Sequence, residues 1–516
     1  MKKLIKSLQW IDENILKILV MGFIFIIPLY PKLPFKMIEY TYVAFRLEDF
    51  YLALVGIVFF IQFLRRKVTV PKKFAFLIGL YWVVIFASYL YGFYVQGSVR
   101  VNSIGLLHSL RRIEYMLIFF VAFTTIRSKQ DLFTYLKLIM GVLSIVSIYG
   151  VGQKFLGWPA VQTMNPEYAK GYFLVLDPLA RISSTFAGHY DLSAYILLLM
   201  PIVLGLYLHS KNKIYLGVFL LSLIALVLAG SRASYLSYVG AVSLYLIYNK
   251  KFKLLLLVIL ATAILTPLSD NLSSRLTRTF QQTKVFVDPT TGEAIIPGEQ
   301  SPDNLPRGNF GADVDTADLD KLKVVEVDEA TKKLAKKEIR DNLLEESKKT
   351  GRQYTELELQ ALIDEEFLNR IPTNKYLIDI SISTRFQVSW PRAINGLKTN
   401  PLLGLGPSSL GEATDGDYFR WLGESGLLGT LTFLAIFFEI VRIIWRKLKA
   451  MEQKDRYIFL GFLFGFLGLF VNASYIDVFE ASKVAYTFWL LAGIFVAAVP
   501  FFSTVSKEKN AKASSK

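Results

Sequence analysis

The chain is expected to be an all-α integral membrane protein of about twelve transmembrane helices, with one large periplasmic or extracellular loop containing short helices. Three observations lead there. Hydrophobic residues make up 53% of the 516 residues and charged residues only 19%. A soluble fold has too little interior to hide that much apolar side chain. Apolar runs of about 20 residues, the length that crosses a bilayer, recur along the chain. Lys and Arg fall in short clusters between those runs, as they do in cytoplasmic loops.

The composition also excludes several function classes. The chain contains no cysteine and three histidines, His108, His189 and His209. Disulfides and thiolate metal sites are therefore absent, and a histidine-rich metal centre is not expected. The net charge of +16 does not point to nucleic acid, because the cations form no stripe with interleaved aromatics on a polar domain. Lys2, Lys3 and Lys6 precede the first apolar run, but no small-residue cleavage site follows Tyr30. That run reads as a retained first span rather than a signal peptide.

Spans are expected near 15–31, 48–64, 74–95, 110–126, 131–152, 190–208, 214–229, 233–249, 253–268, 422–441, 457–474 and 484–503. Counting these spans puts Arg65, Arg66, Lys67, Lys72, Lys73, Arg127, Lys129, Lys211, Lys213, Lys250, Lys251, Lys253, Arg442, Arg446, Lys447, Lys449, Lys507 and Lys509 on one side. By the positive-inside rule that side is cytoplasmic, and both termini share it, in the inner or plasma membrane. No internal repeat is evident, which weighs against a transporter built from repeated halves.

The chain divides into 1–180 (N-terminal spans), 181–287 (central spans), 288–375 (a charged soluble insert), 376–441 (a loop helix leading into the next span) and 442–516 (C-terminal spans and tail). Within the insert, 288–320 is rich in Gly, Pro and Asp and is expected to be coil. Leu334, Ile339 and Leu343, then Leu357, Leu362 and Phe367, recur at helical offsets on either side of Gly351. They predict a charged helical hairpin. The insert reads as a lineage-specific addition; a docking module at 328–370 for an envelope-assembly partner is the sharper alternative.

Candidate chemistry lies on the non-cytoplasmic side. Arg111, Arg112, Arg181, Arg232, Arg385 and Arg392 break the positive-inside trend. Cations beside a span are costly unless paired, so each is either structural, facing a carboxylate or lipid phosphate, or functional. The functional reading is a set of bidentate cations for a diphosphate. Arg232 lies in the tight turn Ala229-Gly230-Ser231-Arg232-Ala233-Ser234, where a new helix offers free N–H groups to an anion. Arg385 and Arg392, seven apart, share one face of an amphipathic helix with Phe386, Trp390 and Ile394 adjacent, and Pro391 kinks that helix or starts a new one. Asp415, Asp417 and Glu424 precede the tenth span, placed either to act as a general base or to cap the helix. His189, flanked by Arg181 and Asp191, is a second proton acceptor. His108 and His209 read as structural.

Four segments resemble the O-antigen ligase and polymerase superfamily, bacterial membrane glycosyltransferases. They are Gly230-Ser231-Arg232-Ala233; Arg181 to Asp191 leading into Leu197–Pro201; Arg385 and Trp390-Pro391-Arg392-Ala393 followed by Asn400 to Gly406; and Tyr418 to Gly429. The resemblance covers about 180–440, by the order of motifs rather than by any one of them. It implies transfer of a glycan from a polyprenyl-diphosphate carrier to a hydroxyl acceptor, a lipid or a growing polysaccharide, at the non-cytoplasmic face. Arg232 and Arg385 match the arginines that hold the diphosphate. Asp415-Gly416 stands where family ligases carry a His-Asn pair, a departure that shifts weight toward polymerase-like members. The site implied is Asp415, Arg232, Arg385 and His189 for catalysis, with Arg181, Arg392, Arg111, Arg112, Tyr418 and Glu424 for substrate, and with no metal or cofactor. The partners implied are the lipid-linked donor, the acceptor and membrane lipids, without nucleic acid. A transporter or flippase of lipid-linked glycans and a protein O-oligosaccharyltransferase are the alternatives.

Overall fold

The computed structural model describes residues 2–37, 44–161, 172–177, 180–269, 272–273, 282–295, 322–350, 354–376, 385–411 and 414–502. The expected coil between 296 and 320 and the basic residues Lys507 and Lys509 lie outside them. The chain forms two compact units, residues 274–389 and the remainder.

The larger unit is helical. Helices α1 (Lys2–Leu29), α2 (Leu47–Leu64), α3 (Lys72–Leu90), α4 (Asn102–Thr125), α5 (Lys129–Phe155), α6 (His189–Ser210), α7 (Ile214–Ala229), α8 (Arg232–Tyr248) and α9 (Phe252–Leu265) precede the insert. Here a helix stands at each of the first nine positions where the sequence predicts a span. Seven helical segments among the described residues are long and apolar enough to cross a membrane. The fourth begins earlier than expected, at Asn102, and its Arg111, Arg112 and Glu114 interrupt the apolar pattern that defines a span. Helices α7 and α9 are apolar but short. By length and composition these helices are compatible with a multi-pass membrane protein.

The cations assigned to one side gather at one end of this unit. Arg65 and Lys67 pair with Asp12 of α1, and Lys17 pairs with Asp131 of α5. Lys129 and His209 both reach Asp455, at 3.3 and 3.4 Å, and Lys73 and Arg442 share Glu439 at 2.7 and 2.5 Å. Loops far apart in sequence therefore meet through the charges that the positive-inside rule groups together.

The same unit resumes after the insert with α12 (Trp390–Thr399), α13 (Asp417–Leu448), α14 (Gln453–Asn472) and α15 (Ser482–Phe502). Helices α6 and α15 are the most enclosed, with 89% of their apolar windows buried against 28% for α2. Glycines let α6 and α14 approach backbone to backbone: a Cβ on Gly205 would lie 2.6 Å from the Tyr457 carbonyl, and one on Gly461 2.6 Å from that of Pro201. Phe437 of α13 packs among Phe466, Phe479, Phe488 and Trp489 at ring separations of 4.9–5.9 Å, in the edge-on and tilted geometries aromatic quadrupoles favour.

Helix α13 is broken. Gly426 sits at φ 61, ψ −163 inside it, and the loop 400–406 fills the break. Leu405 and Gly406 donate to the carbonyls of Gly423 and Glu424, while Leu427 and Leu428 donate to those of Pro401 and Leu402. Ser88 Oγ of α3 caps the Leu403 and Glu424 carbonyls at 2.6 and 2.7 Å. Irregular backbone survives at the membrane only when protein satisfies it in this way. Gly404 and Gly406, a glycine pair with no evident meaning in the sequence, hold φ of 68 and 94 here, a region closed to most side chains.

The 274–389 unit carries a three-stranded antiparallel sheet in the order β4 (Ala294–Ile295), β3 (Gln282–Val287), β5 (Ile371–Tyr376), besides the short β1 (Pro34–Met37) and β2 (Ala44–Arg46) hairpin of the larger unit. Helices α10 (Glu329–Thr350) and α11 (Glu356–Leu368) form the expected hairpin, but strands accompany it and its buried face differs. Phe286, Ile295, Ala335, Ile339, Leu359 and Ile363 form the core, with Leu343 and Phe367 at its edge, while Leu334 is half-exposed and Leu357 exposed. The true stripes, 335/339/343 and 359/363/367, are strict i,i+4 rows; the small Ala335 carries no signal strong enough to mark the first. Arg385–Ser389 is a π-helical turn distinct from α12, so the single amphipathic helix expected over 385–394 is two elements, with Pro391 in the first turn of the second, where its missing N–H costs nothing.

Candidate functional site

Opposite the end that gathers the basic loops, charges collect in two clusters on either side of α4. Arg111 and Arg112 are consecutive on that helix, so they point about 100° apart.

Arg112 enters a closely bonded network, although its Nη1 atom, Asp417 Oδ1 and Asp477 Oδ1 have no hydrogen-bond partner among the described residues. Arg112 donates to Glu424 of α13 at 2.7 Å and to Glu480 at 2.9 Å. Arg420, one turn before Glu424, reaches Glu424 at 3.3 Å and holds Asp477 through two nitrogens at 2.8 and 2.7 Å. Ser408 N donates to Glu424 at 3.1 Å. Asp417 accepts from the backbone N–H groups of Val478 and Phe479 at 2.7 and 3.0 Å. Glu424 is wholly buried, and Arg112 and Arg420 nearly so. Burial is the main influence on the Asp477 carboxyl, which lies in the loop before α15, and pushes it up to about 6 against the opposing Arg420 guanidinium. The neighbouring Asp415 carboxylate adds to that rise. Neither Glu424 nor Asp417 caps the start of α13: both stitch the 473–481 loop and the broken helix to the bundle.

Arg111 enters an open cluster. Its nearest carboxylate is Asp49 of α2, at 3.9 Å. Arg46 stands 3.9 Å from Glu48, too far for a hydrogen bond. Glu48 is wholly buried, and neither of its carboxylate oxygens has a hydrogen-bond partner among the described residues; the Arg46 Nε atom has none either. Lys32 and Lys483, both buried, turn their ammonium groups to other acceptors: Lys32 to Ser482 Oγ at 2.6 Å, and Lys483 to the carbonyls of Pro28, Tyr30 and Thr185. Burial holds the Lys32 ammonium below the usual lysine range, with Glu48 opposing the shift.

Arg181 and His189 meet at the edge of this cluster. The Arg181 Nη1 atom lies 2.7 Å from His189 Nε2. A guanidinium has no acceptor, so Nε2 accepts, and the imidazole is neutral with its proton on Nδ1. The Tyr190 ring lies 4.0 Å from the His189 ring, and the Arg181 guanidinium 5.9 Å from the Tyr190 ring. Between Arg181 and His189 runs a buried irregular loop. Gln153 of α5 accepts from Ser183 N and Ser184 N at 3.2 and 2.7 Å and donates to the Ser184 carbonyl at 2.9 Å. Ser184 holds φ 52, a left-handed conformation that persists where surrounding contacts over-determine it.

The remaining sequence-derived candidates are dispersed. Arg232 is the first residue of α8, after left-handed Gly230 and the cap Ser231, whose Oγ accepts from Ser234 N. Arg392 donates to the Leu410 carbonyl at 3.2 Å, and Tyr418 to the Phe470 carbonyl. The Asp415 carbonyl accepts from Trp390 Nε1 at 3.3 Å. Arg385 is buried and belongs to the 274–389 unit, so its association with Arg232 rests on the resemblance alone. Among the described residues no three His, Asp or Glu side chains converge as metal ligands would. The sequence reading missed Lys32, Arg46, Glu48 and Lys483. Three of these are cations that break the positive-inside trend as clearly as the arginines do. Comparison of the chain with protein-family models and with curated proteins finds no match.

Proposed function

We propose that the chain is a membrane glycosyltransferase of the O-antigen ligase or polymerase type. It has twelve spans and cytoplasmic termini, and it transfers a glycan from a polyprenyl-diphosphate carrier to a hydroxyl acceptor at the outer face. The supporting observation is the pairing of a neutral histidine with an arginine, Arg181 to His189 at 2.7 Å, beside the buried Lys32 and Lys483, whose ammonium groups bond to a hydroxyl and to backbone carbonyls. As the glycosyl–oxygen bond breaks, charge builds on the leaving diphosphate, and preorganised guanidinium groups stabilise it most at that moment. The one lone pair of the neutral imidazole, on Nε2, faces Arg181, so His189 takes the proton of the acceptor hydroxyl once that guanidinium has turned to the diphosphate. Arg111, Arg181 and Arg232 serve the diphosphate in this reading and His189 the acceptor. Asp415 is the alternative base, while Arg112 and Glu424 hold the scaffold.

Transfer from a purified polyprenyl-diphosphate glycan, with donor affinity measured separately, tests the reading. Arg232→Lys keeps the charge but not the fork and should lose roughly 10²–10³ in rate, the usual cost of one transition-state donor. His189→Gln should bind donor normally and transfer slowly. If Asp415→Asn alone has that phenotype, the base is Asp415. Wild-type protein that moves lipid-linked glycan across vesicles without transferring it would replace the transferase with a flippase.

A further inference from the structure

Lys483 has an unusual environment for a lysine. Its side chain is wholly buried at the start of α15, and its ammonium is spent on backbone. It donates to the carbonyls of Pro28 at 3.2 Å, Tyr30 at 2.7 Å and Thr185 at 2.7 Å, with the Phe186 ring 4.9 Å away. Pro28 and Tyr30 belong to the end of α1, where unpaired carbonyls and the negative end of the helix dipole favour a cation. Thr185 belongs to the loop whose two ends carry Arg181 and His189. Thr185 Oγ1 also donates to the Pro28 carbonyl, at 2.5 Å, so α1, α15 and the loop meet at one point.

A compact ammonium with three donors suits such a cage; a planar guanidinium does not. The loop is thus clamped from two sides, by Gln153 at Ser183 and Ser184 and by Lys483 at Thr185. These clamps hold the left-handed Ser184 and, through it, the distance between the loop's ends. We propose that Lys483 is a positioning residue, a tethered cation that sets the Arg181–His189 pair, and that the carbonyl cage takes a free monovalent cation when the tether is cut. The proposal deepens the assignment of that pair to the site and rests on it.

The test uses the full-length protein in lipid nanodiscs with 15N-labelled histidine. The chain has three histidines, so His189→Gln assigns the His189 signals. In the wild type they show one protonated and one unprotonated ring nitrogen. In Lys483→Ala that fixed pattern gives way to a tautomer average. Ammonium or potassium chloride restores it, and tetramethylammonium chloride, too large for the cage, does not. Unchanged His189 signals in Lys483→Ala, or equal restoration by all three salts, would overturn the proposal. If the alanine variant does not accumulate, Lys483→Arg is read instead: loss of the fixed pattern supports the cage, and retention overturns it. No glycan enters the measurement. A moved His189 signal with a transfer-inactive wild type would remove the transferase and leave the positioning role; an active wild type with an unmoved signal would do the reverse.

Discussion

The two charge clusters flanking α4 are built from the same residue types and differ in how completely those residues are used. On the Arg112 side every carboxylate accepts at least one hydrogen bond, and most of these are 2.7–3.1 Å long. On the Arg111 side the ion pairs stretch to 3.9 Å and a buried glutamate has two unused oxygens. The Arg112 side also has spare atoms, Arg112 Nη1, Asp417 Oδ1 and Asp477 Oδ1, but each of those groups is held by at least one short bond, and breaking a buried pair leaves an uncompensated ion. An open cluster keeps hydrogen-bonding capacity at a cost in stability, the trade expected of a site. The difference separates scaffold from site more sharply than residue identity does, since Arg111 and Arg112 are indistinguishable in the sequence.

The largest expected effect follows from the closed side. Glu424→Ala leaves Arg112 with Glu480 and Arg420 with Asp477 but removes the wholly buried carboxylate that joins them, a loss toward the lower end of the about 3–5 kcal/mol that breaking a buried pair costs. The variant should accumulate poorly or unfold early in a thermal melt in detergent. A variant as stable as the wild type would mean that the network is decorative and that both clusters are equally open.

Next come the glycines that let the 400–406 loop plug the broken helix beneath Glu424. A Cβ on Gly404 would lie 2.6 Å from the Glu424 carbonyl carbon, and one on Gly426 2.5 Å from the Leu402 carbonyl. Positive φ alone costs roughly 1–3 kcal/mol for other residues, and the clash adds to it. Gly404→Ala and Gly426→Ala should therefore each lower the unfolding temperature clearly, whereas Gly217→Ala, at a site with nothing within 4 Å, should not.

The same contrast explains what could be read from the sequence. Hydropathy periodicity and the Lys/Arg asymmetry placed most helical segments to within a few residues, because lipid imposes one rule on every span; the exceptions run past their apolar stretch, α1 beginning at Lys2, α4 at Asn102 and α13 ending at Leu448. The closed network was invisible: it joins Arg112 to Glu424 and Arg420 to Asp477 across long stretches of chain, and pairing at that distance leaves no local spacing signal. Gly404-Leu405-Gly406 looked meaningless because its role depends on a break twenty residues later. Arg181 and His189 were legible because they lie eight residues apart, at the two ends of one loop. The strands of the insert were not, since short strands in a charged segment lack the alternation that would announce them.

A pH series probes the closed side without a truncation. Burial lifts the folded Asp477 carboxyl to about 6 from an ordinary value near 3.8. The folded state therefore holds this proton more tightly than the unfolded state. The associated stability is complete below about pH 4 and is lost as pH rises through 6, on the order of 2 kcal/mol. Asp477→Asn should remove that portion of the slope from a melting-temperature profile between pH 4 and 7. An identical slope in the variant would show Asp477 ionised throughout and paired as firmly as its geometry with Arg420 allows.

The smallest effects belong to the open side, and there the comparison is most exposed to refutation. Glu48→Gln keeps shape and breaks no hydrogen bond among the described residues, so it loses only the longer-range attraction of its carboxylate for Arg46 and Lys32 and should cost less than the same change at a hydrogen-bonded carboxylate. Arg111→Ala severs an ion pair already stretched to 3.9 Å, where Glu424→Gln breaks contacts of 2.7–3.3 Å. Both variants should lower the melting temperature less than Glu424→Gln does, while Arg111→Ala weakens binding of a polyprenyl-diphosphate in a direct titration. The matched control is Glu424→Gln, the same chemical change inside the closed network, which should cost several times more than Glu48→Gln. Equal costs would mean that ordered water already satisfies Glu48 and ties the open cluster together as tightly as direct ion pairs tie the closed one. The search for the ligand would then have to move from Arg111 to Arg232.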